Sequence, residues 1–179
     1  MLFRSGMAIT SNGGTGARPD KDGLSATAYP SGVRGTPVEI AETQTPLIFW
    51  RKEFRSDSGG AGRTRGGLGQ IMEIESGIAE PFDLLAAFDR IDYPPRGRDG
   101  GGDGEAGFVA LKSGQTLKGK GFQLIPPGDR LVIMTPGGGG IGAPAKRDRG
   151  QVAQDLADEL ISPDKAKELY AYEPPLAAE

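Results

Sequence analysis

The side chains of this sequence best suited to moving a proton near neutral pH are carboxylates, because histidine and cysteine are both absent. Asp20, Asp22 and Glu39 lie near a glycine motif at residues 13–18 (GGTGAR). A carboxylate in such a place can orient a substrate amide or a water molecule, or it can be a solvated loop charge. The motif offers consecutive amides without a shielding Cβ, beside the charge of Arg18. That is the make-up of an anion-binding nest, and equally of a turn with positive φ. It lacks the order of a phosphate-binding P-loop and follows no predicted strand. A second motif, residues 58–69 (SGGAGRTRGGLG), sets Arg63 and Arg65 between glycines. Their planar forks could clamp a carboxylate or phosphate, or stand solvated on a hairpin loop. A third, residues 135–144 (TPGGGGIGAP), permits close approach by a ligand or by another backbone.

The composition excludes several classes. Without cysteine there is no disulfide, thiolate metal site or thiol nucleophile. Without histidine the commonest general base and nitrogen ligand are missing, which argues against a self-contained metallohydrolase or Ser-His-Asp hydrolase. The net charge of −3 comes from 21 basic and 24 acidic residues, interspersed along the chain. With no basic stripe, no nucleic-acid partner is expected. No apolar run approaches the roughly 20 residues that span a bilayer, and residues 1–6 lack the apolar core of a signal peptide. No membrane partner is expected, and a soluble, cytoplasmic protein is the default.

Only 36% of the 179 residues are hydrophobic, whereas 30 are glycine and 14 proline. Glycine loses more backbone entropy on folding than any other residue. Stability must therefore come from tight turns between short strands, or from a partner surface. The elements that would position the motifs are short. Residues 46–54 begin as an apolar run and end in alternation, which predicts a strand with a buried first half. Residues 68–75 alternate and predict a second strand, hairpinned to the first by a long loop. Residues 82–88 (FDLLAAF) could be strand or helix by length alone, and their place between turn clusters favours a third strand; residues 92–107 must be loop. Residues 108–111, 121–125 and 130–134 predict three more strands, spaced as an antiparallel meander.

Helices are predicted at three places. Residues 36–42 place Thr36 at the N-cap and Pro37 at the first position. Residues 148–160 carry Val152, Leu156 and Leu160 on one face. A further helix begins with Ser162 as N-cap and Pro163 at its first position, and runs to about Tyr170. The expected fold class is α+β, β-dominated, with antiparallel strands in a sandwich or barrel-like core and two short C-terminal helices. The expected division is a Gly-rich β-dominated domain over 1–145, with a helical tail over 146–179 packed on it.

Taken in order, GGTGARPDKDGLSATAYPSGVRGTPVE, DSGGAGRTRGGLG, the cluster of Phe88, Asp89, Arg90, Tyr93, Pro94, Pro95, Arg96 and Gly97, and PGDRLVIMTPGGGGIGAP resemble the C-terminal third of hydantoinase B/oxoprolinase subunits. The tail with Ile161, Ser162, Pro163, Asp164, Lys165 and Ala166 resembles the ending of the same family. The resemblance covers about residues 10–172 and implies ATP-dependent opening of a small-molecule cyclic amide, such as 5-oxoproline or a hydantoin. It also implies two partners. A hydantoinase A-type ATP-binding subunit would carry ATP with its divalent metal and phosphorylate the substrate. An N-terminal hydantoinase B part would carry metal-binding residues, so that this chain binds no cofactor or metal itself.

The chain begins where a family member would be well over halfway through, and is expected to be inactive alone. Gly13, Gly14, Asp22, Arg34 and Glu39 are the expected substrate-binding residues, with binding and positioning roles; the catalytic residues are unknown. Family members often carry Asn where Gly35 stands here, a contact this chain would lack. The alternative is a non-catalytic structural or interaction module of such a complex.

Overall fold

The computed structural model describes residues 6–28, 32–33 and 35–173. Its largest sheet is made of four strands, β1 (Leu47–Phe54), β2 (Gln70–Ser76), β4 (Phe108–Leu111) and β6 (Arg130–Met134), in the order β1-β2-β6-β4. Strands β3 (Phe82–Ala87) and β5 (Lys120–Ile125) pair as a separate ribbon. Every pairing is antiparallel. The chain is thus β-dominated α+β.

Period-two alternation sets the register, since successive side chains of a strand point to opposite faces. Met72, Ile74, Val109, Leu111, Leu131 and Ile133 turn to one face and meet Ile125 from the ribbon in a single apolar cluster. Phe82 and Leu84 of β3 pack against the same cluster. The opposite face carries Glu73, whose carboxylate meets Lys112 at 2.9 Å and Arg130 at 3.5 Å. There Arg130 also lies 4.1 Å from the ring centroid of Trp50.

The positions of the strands match the sequence expectation, but their partners do not all match. The expected meander of the last three strands does not form: β4 pairs with β6, while β5 leaves to pair with β3. Turn chemistry fixes where a strand ends; it does not choose the neighbour. Nor is the first half of β1 buried. As an edge strand with one neighbour it leaves Ile48 and Trp50 exposed and only half-buries Leu47 and Phe49.

Three helices complete the fold. Helix α1 (Val38–Gln44) starts after Pro37, which takes the cap position expected of Thr36. Helices α2 (Arg149–Ala157) and α3 (Pro163–Tyr170) have capped starts, of which the sequence implies the Ser162 cap of α3. The Asp148 side chain accepts from the Gln151 amide, and Ser162 Oγ accepts from the Lys165 amide. Val152, Ile161, Ala166 and Tyr170 bury their apolar surface around Ala61 of the second glycine motif. The helical tail thereby docks on glycine-rich backbone, away from the sheet core.

Glycine-rich backbone forms a second packed region of the molecule. Four non-strand segments, residues 12–24, 58–69, 95–105 and 136–142, run side by side and exchange main-chain hydrogen bonds. The last lies in the middle. It accepts from the Gly14 amide at Pro136 and from the Ala17 amide at Gly139. It bonds to the second segment through Gly60, Gly67 and Thr64, and to the third through Arg98, Gly102 and Glu105. A strand in a sheet has two hydrogen-bonded neighbours; this segment has three.

The glycine run shows why. A Cβ on Gly137 would lie 1.7 Å from the Ser58 carbonyl oxygen, and one on Gly138 would lie 1.8 Å from that of Thr15. On Gly139 it would meet Arg96 O at 2.2 Å, and on Gly140 it would meet Ala61 O at 2.3 Å. The neighbour changes with each residue and returns to the second segment after three. Three residues per turn is the period of a polyproline II-type helix, which has no internal hydrogen bonds and must find partners outside itself.

Candidate functional site

The residues singled out for chemistry gather around this lattice. Gly13 and Gly14 lie against its central segment. The Gly14 amide donates to Pro136 O at 2.9 Å, and a Cβ on Gly14 would overlap Gly67 O. Asp22 sits where the first and second segments meet, since the next residue, Gly23, donates to Arg65 O at 2.8 Å. Glu39 is elsewhere, exposed in the first turn of α1. Arg34 lies outside the described residues. The structure therefore brings Gly13, Gly14 and Asp22 to one lattice and sets Glu39 apart.

Asp22 belongs to an ion cluster. Its Oδ1 accepts from the Arg65 amide at 2.6 Å and from Arg147 Nη1 at 2.8 Å, while its Oδ2 accepts from Arg147 Nη2 at 2.7 Å. Arg147 also donates through Nη2 to Asp155 Oδ2 at 2.7 Å. Asp155 accepts in turn from Arg65 Nε and Nη2, both at 3.3 Å. The side chains of Arg147, Arg65 and Asp155 are 1%, 5% and 8% exposed, so these charges are removed from water.

Burial works against the charge of both Asp22 and Arg147. For Asp22 the Arg147 guanidinium and the Arg65 amide outweigh it and hold the carboxyl below its usual range. For Arg147 the hydrogen bonds to Asp22 and the charge of Asp155 outweigh it and raise the guanidinium's pKa. Geometrically, the cluster clamps α2 to the first two glycine segments. Three donors engage the two oxygens of Asp22, so its carboxylate acts here by fixing backbone.

Two members of this cluster, Arg147 and Asp155, were not singled out from the sequence. A signal for Asp155 was available. It stands one turn beyond Val152, on the buried stripe of an amphipathic helix, where a lone carboxylate is costly and requires a cation. No comparable signal marks Arg147, which lies in the charged run KRDR.

The hydantoinase B/oxoprolinase family model matches residues 4–144, well over half of the sequence. The chain belongs to the hydantoinase B/oxoprolinase family. It is 35% identical over 159 residues to a 5-oxoprolinase of Pestalotiopsis fici, covering 83% of this chain and 12% of that protein. It is 32% identical over 162 residues to a Pseudomonas protein assigned as the B-type component of a D-/L-hydantoinase, covering 86% of this chain and 27% of that one. Among solved structures it superposes on an ATP-dependent caprolactamase of Pseudomonas jessenii with a TM-score of 0.78 and 26% identity, over 93% of this chain and 31% of the other. The chain spans less than a third of the length of each. The glycine motifs that lie within the matched residues are those that interlock in the lattice.

Proposed function

We propose that this chain works as the C-terminal part of a hydantoinase B/oxoprolinase-type subunit and contributes to ATP-dependent hydrolysis of a cyclic amide. The observation that carries the reading is the likeness to the ATP-dependent caprolactamase, in which nearly the whole of this fold recurs within a chain about three times as long. In this reading a hydantoinase A-type subunit holds ATP and its divalent metal, and an N-terminal B part completes the site. This chain supplies a wall. Gly13, Gly14 and Asp22 bind and position through the backbone they fix, and Glu39 takes part from the first turn of α1, with Arg34 as the remaining substrate-binding residue of this reading.

A second reading rests on the ion cluster. With the Asp22 carboxylate spent on Arg65 and Arg147, the chain is a non-catalytic structural module on which partner subunits assemble. One experiment separates the two. The purified chain, given ATP, magnesium and 5-oxoproline or a hydantoin, is expected to release no ADP. Pull-down of the tagged chain from its native lysate is expected to recover an A-type ATPase and an N-terminal B-type polypeptide. Cyclic-amide hydrolysis by the reconstituted complex that weakens in a Glu39→Gln variant supports the catalytic reading. Unchanged activity in that variant moves the chain to the structural role, and turnover by the chain alone refutes both.

A further inference from the structure

Beside the lattice lies an open hollow of about 700 Å³ that the ion cluster does not reach. Arg90, Arg96 and Arg98 line it, all three exposed. Among the described residues no hydrogen bond or ion pair engages any of these guanidiniums. The one carboxylate on the wall, Asp103, is occupied locally by the Gly97 amide at 2.7 Å. Three guanidiniums without a hydrogen bond or ion pair among the described residues thus share one concavity, although like charges repel and a free surface normally intersperses the signs. Arg90 also acts through its charge on the neighbouring Asp89.

The floor is suited to a small anion. Gly16 and Gly139 contribute to it, and among the described residues neither amide donates to an acceptor. A Cβ on Gly16 would meet nothing nearer than Gly139 O at 3.9 Å, so this glycine faces open space, unlike its neighbours in the lattice. The walls are stiff, with Pro94 and Pro95 on one side, and the Tyr93 ring stands at the rim, 78% exposed. Arg90 has a φ of 61°, a left-handed conformation that glycine would adopt at less cost.

We propose that the hollow between Arg90, Arg96 and Arg98 is a binding site for a small multivalent oxyanion. Planar guanidinium forks grip phosphate and carboxylate oxygens in pairs, and free amides beside glycine complete such a cradle. The inference goes beyond the proposed function and does not depend on which amide is hydrolysed.

Calorimetric titration of the full chain with inorganic phosphate tests it. Saturable binding at one site is expected, weakened at least tenfold in an Arg96→Gln/Arg98→Gln variant. Among the described residues the Arg96 and Arg98 side chains make no hydrogen bond or ion pair, so the variant should keep the wild-type Tm. A Lys165→Gln/Lys167→Gln variant removes the same charge from α3 and should bind like the wild type. Arg90→Gly should weaken binding while leaving Tm unchanged or higher, which a structural role for Arg90 would not allow. Competition by glutamate at lower concentration than phosphate would identify a carboxylate ligand, and competition by metal-free ATP would identify a nucleotide phosphate. Each supports an oxyanion site. No saturable binding, or equal loss in the α3 variant, would overturn the proposal.

Discussion

The sheet core and the glycine lattice solve the same problem with opposite materials. In the sheet, side chains do the packing: Met72, Ile74, Leu131 and Ile133 fill the space between β1-β2-β6-β4 and the β3-β5 ribbon. In the lattice, backbones pack directly on one another, and a single carbon added at Gly137 or Gly138 would fall within 2 Å of a carbonyl oxygen. The sheet can tolerate a smaller side chain by leaving a cavity. The lattice has nothing to shrink and nothing that can rotate away. A chain that is poor in apolar residues can thus still build a dense interior, provided its glycines fall at the crossings.

The largest effect should come from growing the lattice. Gly138→Ala places a methyl 1.8 Å from Thr15 O and 2.8 Å from the Gly16 amide nitrogen, both main-chain atoms. Its cost should exceed the roughly 3 kcal/mol at the top of the usual overpacking range, leaving no cooperative urea transition. Wild-type-like unfolding of this variant would show that the segments part easily.

Next is the clamp between the two regions. Arg147→Met leaves Asp155 buried and Asp22 half-buried without their common cation, and should cost about 3–5 kcal/mol in urea unfolding. The pH dependence has a definite sign. The folded-state pKa of Asp22 lies below its ordinary value of 3.8, so its contribution is complete above that value and is lost as pH falls through the folded pKa. Acid unfolding of the wild type should therefore steepen below about pH 4, and Arg147→Met should flatten that limb.

In the sheet, Met72→Ala removes a fully buried side chain and should cost about 2–5 kcal/mol, with the variant still folded. The single-atom change made at Gly138 should cost far less away from the crossings. Gly114→Ala meets no atom within 4 Å but holds a φ of 105°, so strain alone should cost about 1 kcal/mol. Gly6→Ala, with open space around it, should stay within about 0.5 kcal/mol. If all three glycines behaved alike, the crossings would have no special role.

Much of the scaffold was legible in local sequence. The start of α3 follows from Ser162, whose side chain caps its own helix within three residues. Residues 108–111 and 130–134 are strands at the positions that the turn residues around them predict. The antiparallel pairing of β1 with β2 follows from one loop joining adjacent strands. Of the candidate site, the sequence drew attention to Gly13, Gly14 and Asp22, and their shared lattice was not legible. Nor was the pairing of Asp22 with Arg147, which lies 125 residues away.

The order of the glycine motifs, the absence of histidine and cysteine, and the period-two and period-four patterns were set by the sequence alone. They were enough to indicate the family and the element types, because turns, caps and amphipathic faces involve residues within a few positions of one another. Only the tertiary structure decided that β5 leaves β6 for β3, that four glycine segments interlock, and that Arg65, Asp22, Asp155 and Arg147 share charge. Those outcomes depend on which distant surfaces fit. The fit of one carbonyl against the Cα of a glycine from another segment leaves no periodic trace along either segment.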